Sequence, residues 1–119
     1  MSKYFSESEL ACKCDRGDKC DAAPMNMETV MKLDGMRMEL CDPIIITSAR
    51  RCRYWNEKSN GADNSQHLAG KAVDIKTKGG VHTARLISLA IKHGFTAIGV
   101  SKGFIHIDTR AGPTIFFGY

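Results

Sequence analysis

Two short stretches carry residue types that do chemistry. Residues 65–75 read SQHLAGKAVDI and residues 104–108 read FIHID. The first places His67 and Asp74 seven apart around Gly70, between a turn-rich loop and an apolar run. The second places His106 two residues before Asp108. Two imidazoles and one carboxylate are an ordinary ligand set for a catalytic zinc ion, which keeps its fourth position for water. Each ligand alone is weak evidence, because a single histidine in a strand is more often structural and short motifs match by chance.

The elements around these residues must bring them together. Gly70 permits a close turn back toward the histidine. The run 72–77 (AVDIKT) alternates as a strand does, so Ala72 and Asp74 share one face while Val73 and Ile75 share the other. In 104–108, Phe104, His106 and Asp108 share a face opposite Ile105 and Ile107. Both strands would therefore offer their ligand from the side opposite an apolar face. His82 and His93 sit at the start and end of a predicted helix over 81–93, have simple surface readings and receive no role.

The rest of the chain supplies the frame. Ser6, with Glu9 three residues on, predicts one helical turn over 6–10. Residues 11–23 read as loop. Pro24 opens a helix running to Leu40, with Met27, Val30, Met31, Met38 and Leu40 near helical spacing, and methionine acting as core filler. Residues 43–47 (PIIIT) predict a buried strand. Residues 48–66 are irregular and polar with one helical turn over 54–58, and a long loop inside a compact domain is often functional. Leu86, Leu89 and Ala90 face inward on the 81–93 helix, which Gly94 stops. Residues 95–100 and 104–108 form strands joined by Ser-Lys-Gly, and 114–119 a short last strand. This order predicts an α+β fold with a small, mainly antiparallel sheet.

Bulk properties narrow the function. At 119 residues the chain suits one domain, 1–119. A chain of this size buries roughly two-thirds of its unfolded surface, enough for a core. Lys and Arg number 17 against 13 Asp and Glu, a net charge of +4 that aids encounter with anionic polymers. The basic residues are scattered apart from Arg50, Arg51 and Arg53, with no aromatic interleaving, so no nucleic-acid partner is expected. The N-terminus lacks the apolar core of a signal peptide and no run suits a membrane span, so the chain is expected to be cytoplasmic as synthesised, without a membrane partner and monomeric.

Five cysteines, Cys12, Cys14, Cys20, Cys41 and Cys52, are an odd count that argues against a full disulfide framework. Cys12, Cys14 and Cys20 with a fourth ligand could hold a structural zinc. Their spacing is uncommon for one, however, and reduced thiols in a tight loop are the preferred expectation.

Taken together, ITSARR, GADNSQHLAGKAVDI and GFIHIDTR resemble the zinc D-alanyl-D-alanine carboxypeptidase and L-alanyl-D-glutamate endopeptidase superfamily, of the hedgehog/DD-peptidase fold. Its hallmark S-x-H-x-x-G-x-A-x-D reads here as Ser65, His67, Gly70, Ala72 and Asp74, with His106 downstream. The opening KYFSESELACKC and the ending HIDTR…GY are similar to small phage and bacterial members. The resemblance implies a Zn2+ cofactor on His67, Asp74 and His106. It also implies hydrolysis of peptidoglycan stem peptides at bonds involving D-amino acids, as in a phage endolysin or a wall-remodelling enzyme. A phage enzyme of this kind would reach the cell wall only after release from the host cytoplasm. Arg51 matches the family's upstream arginine and would be catalytic or clamp substrate, with Arg50 competing and Ser65 beside it as substrate-binding residues. Many members carry a catalytic acid three residues before the last histidine, where this chain has Gly103. Asp108 is the substitute candidate for general base or, equally, for an orienting partner of His106, and Asp63 is a weaker one. The alternative is a non-catalytic, zinc-containing binding module on the same fold.

Overall fold

The structure, a computed structural model, describes residues 2–119. Five strands form one sheet in the order β1-β2-β4-β3-β5: β1 Ile46–Ser48, β2 Ala72–Lys76, β3 Ala97–Ser101, β4 Phe104–Asp108 and β5 Ile115–Gly118. All neighbours are antiparallel except β3 and β5. Four helices accompany it: α1 Glu7–Leu10, α2 Met27–Leu40, α3 Arg53–Lys58 and α4 Gly79–Lys92. This is the α+β architecture expected from the order of periodic segments.

The sheet divides its residues by pleat. Val73, Ile75, Ile98, Ile105 and Ile107 point to one side and pack with Leu33, Met36, Leu86 and Ala90 of α2 and α4. Full burial of one such aliphatic side chain contributes about 1.5–3 kcal/mol. The opposite pleat carries Ala72 and Asp74 on β2, His106 and Asp108 on β4, and Ala97 and Gly99 on β3. Register pairs Asp74 with His106 and Ala72 with Asp108 across one ladder, and Gly99 with His106 and Ala97 with Asp108 across the next. Small residues thus flank Asp108 on both sides, and Gly99 leaves room beside His106.

The helix ends follow local chemistry. Ser6 and Glu9 form a reciprocal capping box at α1. The α2 helix begins later than Pro24, at Met27, because the Asn26 side chain accepts from the Thr29 backbone and caps it there. Its buried face is Thr29, Val30, Leu33, Met36 and Leu40, whereas Met27, Met31 and Met38 are more than half exposed. Apolar residues lie all round this helix, so spacing alone selects no face. The strand expected at 43–47 is shifted and short: Ile44 is buried, Ile45 is exposed, and pairing with β2 starts at Ile46 through an irregular register. It is an edge strand, and an irregularity of this kind is common at edges. Gly94, at φ 93°, ends α4 as expected.

Candidate metal centre

His67 reaches the sheet from a loop closed by local hydrogen bonds. The backbone N–H of Leu68 donates to Ser65, Ala69 to Gln66, and both Gly70 and Lys71 back into the same turn. Gly70 lies at φ 69°, and a Cβ there would fall 2.3 Å from the Pro24 carbonyl oxygen. The Gly70 carbonyl in turn accepts from Asn26, the α2 cap. Glycine is needed here both for the left-handed backbone and for the closeness of the Pro24–Met25 segment. Two residues later the chain enters β2, which brings Asp74 back beside His67.

Three ligand atoms converge. His67 Nε2 lies 3.2 Å from Asp74 Oδ1, and His106 Nδ1 lies 3.0 Å from the same oxygen. All three residues are buried, with one ligand atom from each within 4.8 Å of the others. The outer ring nitrogens are both engaged: His67 Nδ1 with the Ala49 carbonyl, and His106 Nε2 with Asp108 Oδ2 at 2.7 Å. A carbonyl and a carboxylate only accept, so with a cation at the centre each outer nitrogen would keep the proton and each inner nitrogen would turn its lone pair to the cation. Two ring nitrogens and a carboxylate oxygen thus face one another at the floor of a largely buried site. That donor set fits a divalent cation such as zinc, and its outer hydrogen bonds are those that orient metal-bound imidazoles.

Without a cation the same geometry draws in a proton. Burial disfavours charge on His106, but its bonds to Asp108 and Asp74 outweigh that and raise its pKa. Burial likewise works against the Asp74 charge, and the two imidazoles prevail and lower its pKa.

Asp108 has no solvent exposure. Its Oδ2 meets His106 and the Arg110 guanidinium at 2.6 Å, and its Oδ1 accepts from the Arg110 backbone at 3.1 Å and side chain at 2.9 Å. Burial would raise its pKa, but these bonds from Arg110 and His106 hold it at about 2. Arg51 is also buried, at 6% exposure. It donates through Nε to Ser48 Oγ, through one terminal nitrogen to Asn56 Oδ1 and through the other to Asp74 Oδ2 at 3.2 Å. Asn56 packs against Gly61, where a Cβ would overlap its oxygen, and donates to the Ala62 carbonyl. The 48–66 region is therefore a bracket around Arg51.

Over the centre lies an open groove of about 540 Å³. Arg51, Ser65, Asp74, His106 and Arg110 line it, with an aromatic wall of Phe104, Phe117 and Tyr119. Ser65 Oγ also accepts from the His67 backbone. Of the residues singled out from sequence, the structure gathers His67, Asp74, His106, Asp108, Arg51 and Ser65. Arg50 is placed elsewhere, lining a separate cavity with Phe5, Leu10 and Pro24. Asp63 is exposed and outside the groove lining.

Sequence reasoning passed over Ala49, Asn56, Arg110, Phe117 and Tyr119. Tyr119 stacks 4.6 Å from the His106 ring, and its phenol pKa is raised by burial and by the Asp74 charge. Phe117 and Tyr119 reach the site only because β5 pairs with β3 over Gly99, a contact no local pattern signals.

Residues 3–108 match the family described as Peptidase M15. The chain is also 35% identical over 100 residues to the zinc D-Ala-D-Ala carboxypeptidase of Streptomyces albus G, covering 79% of this chain and 39% of that relative. It therefore spans about two-fifths of the length of the curated relative it matches.

Proposed function

The chain belongs to the peptidase M15 family, and from that membership we propose that it is a zinc metallopeptidase acting on peptidoglycan stem peptides, at bonds involving D-amino acids. The observation that carries this reading is the convergence of ligand atoms of His67, Asp74 and His106 under an open groove. The similarity to a zinc D-Ala-D-Ala carboxypeptidase supports both the metal and the substrate class. A role as a phage endolysin suits the net positive charge, which aids encounter with anionic wall polymers.

Zinc held by these three residues would supply Lewis acidity toward a substrate carbonyl or a water. The protein does the positioning. Ala49 holds the His67 ring in one tautomer, and Asp108, fixed by Arg110, does the same for His106. Arg51 neutralises the second oxygen of Asp74 and borders the groove, where its guanidinium can bind a substrate carbonyl or carboxylate. The Tyr119 hydroxyl, kept protonated, is a second donor on the same wall. Asp108 acts as a positioning residue: it is buried and both its oxygens are engaged. The aromatic wall offers an apolar surface for the aliphatic parts of a stem peptide.

One observation favours the second reading, a zinc-containing binding module without hydrolysis. Among the described residues lining the groove, Asp74 has the sole side-chain carboxylate, and it is a candidate ligand. Gly103, three residues before His106, has no side chain to serve as base.

The two readings separate in one experiment. The zinc-loaded protein is incubated with peptidoglycan fragments of defined stem peptides, and products are followed by mass spectrometry. Cleavage abolished by chelator and by His67→Ala is expected, and the product masses name the bond. Intact fragments that nevertheless co-elute with zinc-loaded protein would replace the peptidase reading with the binding module.

A further inference from the structure

Residues 11–24 play no part in the groove and run between Leu10 and Met25, the two neighbours that pack with the core. From residue 11 to residue 25 no side chain is buried, and the one regular element there is the turn Gly17–Lys19. Between those two anchors hydrophobic burial, the dominant driving force elsewhere, contributes little to the segment's order. This stretch carries Cys12, Cys14 and Cys20. The tertiary fold brings them to Cys52, the N-cap residue of α3, which is 2% exposed.

The four sulfurs lie within 4.8 Å of one another. Cys12 and Cys52 are separated by 3.7 Å, sulfur to sulfur. A disulfide would require about 2.05 Å. A single tetrahedral ion, with sulfur ligands at about 2.3 Å, places its sulfurs about 3.8 Å apart. An iron–sulfide cluster, with several metals and sulfides between the thiolates, would hold them farther apart.

Each sulfur also receives a backbone N–H. Cys52 donates to Cys12 at 3.3 Å and Trp55 to Cys52 at 3.4 Å. The backbones of Arg16 and Ala22 hydrogen-bond to Cys14 and Cys20. Amide donors aimed at sulfur are the outer contacts that orient and support metal-bound ligands. We propose that Cys12, Cys14, Cys20 and Cys52 hold a structural zinc ion, separate from the ion of the histidine centre.

Four protein ligands leave no open coordination position, so this second ion is structural. Its effect is to staple the N-terminal segment to Cys52, the residue next to Arg51. Binding free energy at such a site is folding free energy for the segment it closes. Cys41, exposed at the end of α2, stands outside the cluster.

The test uses the full chain purified without chelator, with metal content measured by mass spectrometry. His67→Ala, which removes a ligand of the histidine centre, is expected to keep one zinc per chain. A thiol-directed mercurial should release that zinc. In the cobalt-substituted His67→Ala protein, a thiolate-to-cobalt charge-transfer band should appear beside the visible bands of a tetrahedral ion. Cys14→Ser should lose the mercurial-releasable zinc, and Cys41→Ser should keep it. A folded His67→Ala protein free of zinc, with all its thiols open to alkylation, would overturn the proposal. So would stoichiometric iron, or an intact mass showing the deficit of a disulfide among these four.

Discussion

At Asp108, sequence alone left base and orienting partner equally open, because both roles need a carboxylate on the His106 face. Arg110 separates them, since its guanidinium and backbone occupy the oxygens that a base would need free. Asp108→Asn is therefore expected to weaken zinc binding by about 10–100-fold, the usual loss when an outer partner of a metal-bound histidine is changed. Competition against a fluorescent chelator reads this directly. If Asp108 were the base, zinc affinity would stay and turnover alone would collapse. Arg51 makes the other residue-scale prediction. In zinc-free protein, Arg51→Ala leaves the buried Asp74 without its guanidinium and should cost about 3 kcal/mol in urea unfolding. Zinc should recover part of that loss by compensating the same carboxylate.

At the scale of elements, two glycines set the walls of the site. Gly70 combines a left-handed φ with a backbone approach that excludes any Cβ. Gly70→Ala is expected to destabilise by at least about 2 kcal/mol and to lower zinc occupancy, because strain and overpacking add there. Its consequence for the site follows from position: the turn carries His67 at one end and feeds β2 at the other. Gly99 is different. A Cβ on it would come 2.6 Å from the Phe117 ring, pushing the aromatic wall off β3 while leaving the metal ligands in place. Gly99→Ala should therefore raise KM for a peptidoglycan fragment, or weaken its capture, with zinc content unchanged. A fall in zinc content instead would show that the wall also supports His106. The hallmark turn was legible because glycine at that spacing has a local reason. The wall was not, because β5 finds its partner by a parallel pairing fifteen or more residues back in the chain.

For the whole molecule, proton and zinc compete, and the signs oppose. In chelator, His106 has a raised pKa, so its contribution to stability is present below the ordinary imidazole value of about 6.5 and is lost as pH rises through the folded-state value. Asp74 and Asp108 have lowered pKa values, so theirs is present above the ordinary carboxylate value and lost on acidification, toward about 2 for Asp108. Zinc-free protein should accordingly melt highest in mildly acidic buffer and less well above neutrality. With zinc the order reverses from about pH 5 to 8, because the ligands must shed protons to bind. Parallel melting curves with and without chelator check this, and two profiles of the same slope would remove the metal from the account. What the sequence determined by itself was whatever depends on near neighbours. Strand alternation placed Asp74, His106 and Asp108 opposite the core, the turn placed His67 before β2, and an intact ten-residue hallmark pointed to the family. What only the tertiary structure decided was which distant groups complete those residues: Arg110 on Asp108, Ala49 on His67, Tyr119 over His106 and Cys52 with the N-terminal thiols. Pairing of strands and closure of loops settle such meetings through the global balance of burial and chain entropy, and no local spacing encodes them.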